Sequence, residues 1–104
     1  MRVRGVTMAG LLTALSLTGP HAQAAEARRL YDFAAQGVII WSEPWAGSTR
    51  AGLGYPGQGF VSDYSEEHDL YRCGDFDATL WYHGHNATTA VVGWVPGCNL
   101  ADPD

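Results

Sequence analysis

Residues 79–95 read TLWYHGHNATTAVVGWV, and this stretch decides the fold class of the chain. Two runs rich in β-branched and aromatic residues, at 79–83 and 90–95, flank a polar segment that contains Gly and Asn. Short runs of this kind, bounded by turn-forming residues, are typical of β-strands joined in a hairpin. We therefore predict two neighbouring antiparallel strands with a turn at residues 84–88.

Strand candidates continue upstream of this hairpin. They lie at residues 38–41, 59–64 and 70–73, with a shorter one at 50–53. A Gly- and Ser-rich loop, the turn Tyr55-Pro56-Gly57 and a polar turn at 65–68 are predicted between them. Residues 25–36 are mixed; Leu30, Phe33 and Ala34 could form the stripe of a short helix, but we favour a partly ordered leading segment. About five short antiparallel strands with frequent turns predict a small all-β barrel or sandwich at residues 37–104.

The first 24 residues have the three-part order of a secretory signal peptide. Arg2 and Arg4 come first, an uncharged apolar run follows at 6–17, and Ala22-Gln23-Ala24 forms a small-x-small cleavage site. The apolar run is shorter than the about 20 residues that a membrane-spanning helix needs. We therefore predict cleavage after Ala24, secretion from a bacterium, and no membrane span.

Cleavage at this site would make the chain more acidic. It leaves 80 of the 104 residues, with four arginines against eleven acidic residues and a net charge of −7. A chain of this length forms one small domain, and we expect a monomer. Such a charge disfavours nucleic acids and anionic membrane surfaces as partners.

The chain contains two cysteines, Cys73 and Cys98. In an exported domain an isolated pair is usually a disulfide, and this one would close a loop of 26 residues. Chain entropy gives such a loop about 3.5 kcal/mol of stabilisation. A metal pair or a reactive thiol remains an alternative, although the spacing is far from Cys-x-x-Cys.

Residues 38–100 resemble the bacterial SH3-type (SH3b) domain in three places. The run 38–44 is similar to its opening strand, and the segment 52–61 is similar to its strand-turn-strand unit. The most specific match is Leu80-Trp81-Tyr82 followed by Val92-Gly93-Trp94-Val95, which resembles the closing strand pair of the family. Trp41 and Glu43 depart from its usual opening pattern. The resemblance implies a small SH3-like barrel with a groove that binds cell-wall peptides in some members.

The aromatic residues are the main candidates for a binding surface. All twelve follow residue 24, and Trp94 is predicted to be core or half-buried. Trp45 lies in a Gly/Ser loop and Tyr55 at a turn, so both are predicted to be exposed. Together with the resemblance, this makes a set of groove candidates: Trp45, Tyr55, Trp81 and Tyr82.

Other polar residues suggest weaker alternatives. His83 and His85 share one side of a strand and, with His68 or an aspartate, could bind a metal; a solvated face is the simpler interpretation. The acidic residues between 66 and 77 lack a calcium-loop pattern and are interpreted as a solvated edge.

These observations predict a secreted, non-catalytic binding module with no cofactor and no metal. The expected ligand is cell-wall peptide, that is peptidoglycan, or another extended peptide. One alternative is a secreted inhibitor or effector that binds an extracellular protein. The other is a small metal-dependent enzyme built on His83, His85 and the acidic residues.

Overall fold

The computed structural model describes residues 28–102 and consists of β-strands with one short 3-10 turn at Gly97–Asn99. The strands are β1 (Arg29–Phe33), β2 (Val38–Trp41), β3 (Arg50–Gly54), β4 (Phe60–Arg72), β5 (Asp77–Asn86), β6 (Val92–Pro96) and β7 (Leu100–Ala101). The predicted all-β class is confirmed, with seven strands where about five were predicted. The predicted leader at 1–24 lies outside the described residues.

All seven strands belong to one antiparallel sheet with the order β3-β2-β6-β5-β4-β1-β7. The predicted hairpin of β5 and β6 is present, with Trp81 opposite Pro96 and His85 opposite Val92. The sheet curls strongly, which brings β1 against β3: the ring of Phe33 in β1 occupies the place that a Cβ of Gly54 in β3 would take. Glycine at position 54 thus permits two strands from opposite halves of the sheet to touch.

Each face of the curled sheet carries an apolar cluster. The inner cluster consists of Phe33, Val38, Ile40, Phe60 and Val95. The outer cluster consists of Trp41, Trp81 and Trp94, with Ile39 and Tyr71 packed against it. Successive residues of a strand point to opposite faces, so β2, β5 and β6 contribute to both clusters. These three strands are therefore covered on both sides.

β4 runs without a break through residues 65–68, where a turn was predicted. Beyond Ser62 it has no partner in β1, and β5 pairs with β6 only from Trp81 onward. Residues 65–80 consequently form a two-stranded ribbon, which packs back against the outer cluster through Tyr71. The pairing of β4 with β5 has register shifts between Ser62 and Tyr64, before the ribbon, and between Glu67 and Tyr71, within it. The turn prediction was wrong because residues 65–68 are all polar. The ribbon exposes most of its side chains, so its sequence lacks the alternation of apolar and polar residues that would indicate a strand.

Residues 29–33 of the leading segment are part of the sheet. Residues 29–33 form β1, which pairs with β4 through Tyr31 opposite Phe60 and with β7 through Phe33 opposite Leu100. The structure thus has a strand where a partly ordered segment or a short helix was predicted, and the domain begins before residue 37. The physical reason is burial, since Phe33 is 2% exposed and belongs to the inner cluster.

Asn86 organises the turn between β5 and β6. The strand continues to this residue, so the turn begins later than the predicted residue 84. Its side chain is fully buried: Oδ1 accepts hydrogen bonds from the backbone N–H groups of Thr88 and Thr89, and Nδ2 donates to Gln58 Oε1. A buried amide with both ends satisfied fixes the turn.

Cys73 and Cys98 form the predicted disulfide, which joins the end of the ribbon to the 3-10 turn before β7. Both cysteines of the chain are consumed, so neither remains as a thiol.

Between residues 28 and 102 there is no helix with the length and apolarity required to cross a membrane.

Candidate functional site

The four predicted groove residues do not form one surface. Trp45 and Tyr55 are exposed, at 45% and 41%, as predicted. Trp81 has no exposed surface, because it packs in the outer cluster and its Nε1 donates a hydrogen bond to the Asp69 carbonyl in the ribbon. Trp81 is therefore a core residue, and its assignment to a groove was wrong. Trp45 and Tyr55 take part in none of the aromatic contacts found within residues 28–102.

Tyr82, the fourth candidate, lines a cavity at the edge of the sheet. It is half-buried against the inner cluster, and its ring meets that of Tyr31 edge-on, with centroids 5.1 Å apart. The cavity has a volume of about 330 Å³. We call it the tyrosine groove; it is lined by Tyr31, Tyr82, Gly97, Leu100, Ala101 and Asp102.

The geometry of the groove follows from the strand order. β1 carries Tyr31 and lies between β4 and β7, so the ring lies next to the last strand. Gly97 leaves the floor open, because a Cβ at this position would lie 3.2 Å from both Tyr82 Cε1 and the Leu80 carbonyl oxygen. β7 pairs with β1 alone, so the groove borders an edge strand.

Tyr31 was missed by the sequence analysis because it lies in the segment taken as partly ordered. A signal for it was present, since Tyr31 and Phe33 are aromatic residues with high β-propensity at alternate positions. β1 pairs with residues about 70 positions later, and so distant a pairing leaves no local pattern in the sequence. The contact between Tyr31 and Tyr82 therefore could not be inferred from the spacing of the two residues.

The electrostatics of the groove favour the neutral form of the Tyr82 hydroxyl group. Burial raises the pKa of Tyr82 above its ordinary value of 10.0, and a side-chain hydrogen bond and charge interaction with Tyr31 raise it further. Arg29 acts in the opposite direction. The groove thus offers two aromatic rings with polar tips, a backbone edge and one carboxylate, from Asp102.

The raised pKa of Tyr82 makes a prediction for alkaline solution. A neutral phenol favoured by the folded state adds stability that is fully present below about pH 10 and is lost as the pH rises through the folded-state pKa. We expect Tyr82→Phe to lose less stability than the wild type between about pH 9 and about pH 11. Urea unfolding at both pH values measures the free energy of unfolding of each protein. The difference in alkaline absorbance between the two proteins follows the titration of Tyr82 itself. Equal alkaline losses in the two proteins would contradict the prediction.

The histidines predicted as possible metal ligands make other contacts. His83 Nδ1 donates to Asp63 Oδ1 over 3.0 Å, and its ring stacks on Tyr64. His85 lines a separate small cavity with Arg28, Val61 and Asp63. In the part of the chain that the structure describes, no three His, Cys, Asp or Glu side chains are grouped closely enough to hold a metal ion.

Comparison with protein-family models, with curated proteins and with solved structures gives no match for this chain. The assignment of a site therefore rests on geometry and chemistry alone.

Proposed function

We propose that this chain is a secreted, non-catalytic binding module of the SH3b type, and that the tyrosine groove holds an extended peptide. The observation that carries the proposal is the pair of Tyr31 and Tyr82 beside the edge strand β7. The export pattern of residues 1–24 and the Cys73–Cys98 disulfide support a location outside the cytoplasm.

An extended peptide suits the groove for two reasons. Tyrosine rings offer a large contact area at low cost in conformational entropy, and their hydroxyl groups can hydrogen-bond a peptide backbone. An edge strand presents backbone groups without a partner, which an added strand can pair. Asp102 at the rim and a net charge of −7 after residue 24 favour a ligand with free amino groups. Stem peptides of the bacterial cell wall have this character and are the proposed ligand.

Co-sedimentation with purified peptidoglycan tests the proposal. We expect the intact protein to be retained, and Tyr31→Ala to weaken retention by about tenfold or more, as for other aromatic residues at the centre of a binding site. Tyr55→Ala is the matched control, because Tyr55 is an exposed tyrosine outside the groove. Tyr31→Phe, which keeps the ring and removes the hydroxyl, serves if the alanine variant fails to fold.

Two outcomes would overturn the proposal in different ways. No retention of the intact protein would remove cell-wall peptide as the ligand. Retention that is lost in Tyr55→Ala or Trp45→Ala but kept in Tyr31→Ala would place the binding surface on the loops rather than in the groove.

A further inference from the structure

A row of directly paired aromatic residues crosses the outer face of the sheet, away from the tyrosine groove. Trp41 in β2 lies opposite Trp94 in β6, Trp94 opposite His83 in β5, and His83 opposite Tyr64 in β4. Direct partners in an antiparallel sheet project from the same face, so the four rings follow one another across four strands. The centroid of His83 lies 5.1 Å from Trp94 and 5.0 Å from Tyr64.

The row is covered at one end and open at the other. Trp41 and Trp94 are at most 9% exposed, whereas Tyr64 is 46% exposed. The ribbon provides the cover: Tyr71 packs edge-on against Trp41, and His68 packs edge-on against Trp94. Tyr64 stacks one face of its ring on His83 at an angle of 21° and is left half in solvent.

Two carboxylates lie at the open end. Asp63 accepts a hydrogen bond from His83, and Glu66 accepts one from His68 Nε2 over 2.8 Å; about half of each acidic side chain is exposed. Arg72 and Asp77, 3.7 Å apart, lie at the far end of the ribbon. The exposed ring of Tyr64 thus has two half-exposed carboxylates, Asp63 and Glu66, on the residues around it.

The backbone beside Tyr64 is also unpaired. β1 accompanies β4 only as far as Ser62, so the outer edge of β4 from residue 63 onward has no strand partner within residues 28–102. An edge of this kind can pair with an extended chain, and the alternate side chains of that chain would reach the same face as Tyr64.

We propose that this open end is a second binding site, which takes a lysine or arginine side chain of an extended basic peptide. A cation over the free side of the Tyr64 ring is attracted by its π-electrons, and Asp63 and Glu66 supply opposite charge next to it. The histidines hold the two carboxylates at the rim of the ring. This site is independent of the tyrosine groove and does not depend on the function proposed for it.

Calorimetric titration with a hexalysine peptide at low ionic strength tests the proposal. We expect the protein to bind hexalysine and not hexaglutamate. For Tyr64→Ala we expect a dissociation constant for hexalysine that is about two to five times larger, in keeping with the loss of an exposed cation–π contact. Tyr64→Phe keeps the ring and is expected to bind as the wild type does. Asp63→Asn combined with Glu66→Gln is expected to weaken binding further.

Two controls make the test specific. Tyr55→Ala removes a similarly exposed tyrosine elsewhere and is expected to leave binding unchanged. Thermal unfolding of Tyr64→Ala checks that the fold is kept. If Tyr64→Ala folds and binds hexalysine as tightly as the wild type, or if Tyr55→Ala weakens binding equally, the peptide is held by unspecific charge attraction and the proposed site is wrong.

Discussion

Replacement of Trp81 by alanine is expected to lower the free energy of unfolding by about 3 to 5 kcal/mol, the range found when large aromatic residues are removed from a core. Trp81 has no exposed surface and packs with Trp41, Trp94 and Tyr71. The change also removes the donor to the Asp69 carbonyl, which holds the ribbon against the outer face. Urea unfolding followed by far-ultraviolet circular dichroism measures the loss without depending on tryptophan fluorescence.

The matched control for this experiment is Trp45→Ala. Trp45 is the same residue type in an exposed loop, so its removal is expected to change stability by no more than about 0.5 kcal/mol. Comparable losses in the two variants would contradict the assignment of Trp81 to the core and of Trp45 to the surface. A Trp81→Ala protein of normal stability that fails to bind ligand would instead favour the groove role predicted from the sequence.

Loss of the Cys73–Cys98 disulfide is expected to destabilise the domain by about 3.5 kcal/mol, from the loop of 26 residues that it closes. In a domain of this size such a change corresponds to a drop in Tm of about 14 to 28 °C. The bridge matters because a small core contributes only a modest surplus of stability. Thermal unfolding of Cys73→Ala/Cys98→Ala beside the wild type measures the shift.

Reduction of the wild-type protein provides an independent check. The reduced protein is expected to unfold at nearly the temperature of the double variant, since both lack the same cross-link. An oxidised and a reduced protein with the same Tm would show that the bridge does not constrain the unfolded chain. Residual structure in the unfolded chain that already holds residues 73 and 98 together would explain such a result.

The sequence predicted the fold class and the disulfide because both leave local signals. Residues 38–41 and 90–95 are apolar runs between turn residues, and such runs occur where a strand is buried on both sides. The ribbon at 65–80 was divided wrongly, since a strand exposed on both faces has no apolar period. β1 was missed because its partners lie far along the chain and its burial depends on Phe33 alone at its end.

The candidate site was predicted less well than the fold. Alternation along β5 places Trp81 and Tyr82 on opposite faces, but it does not tell which face is open. The ribbon covers the face of Trp81, and this cover could not be foreseen while residues 65–68 were taken as a turn. Tyr82 lines a cavity, yet its neighbour Tyr31 comes from the strand that was missed.

The pairing of β1 with β7 has a consequence for the biosynthesis of the protein. Asp32 lies opposite Ala101 and Phe33 opposite Leu100, so the first strand within residues 28–102 finds one of its two neighbours only in the last strand of that range. The sheet can therefore close only after residue 101 has left the ribosome.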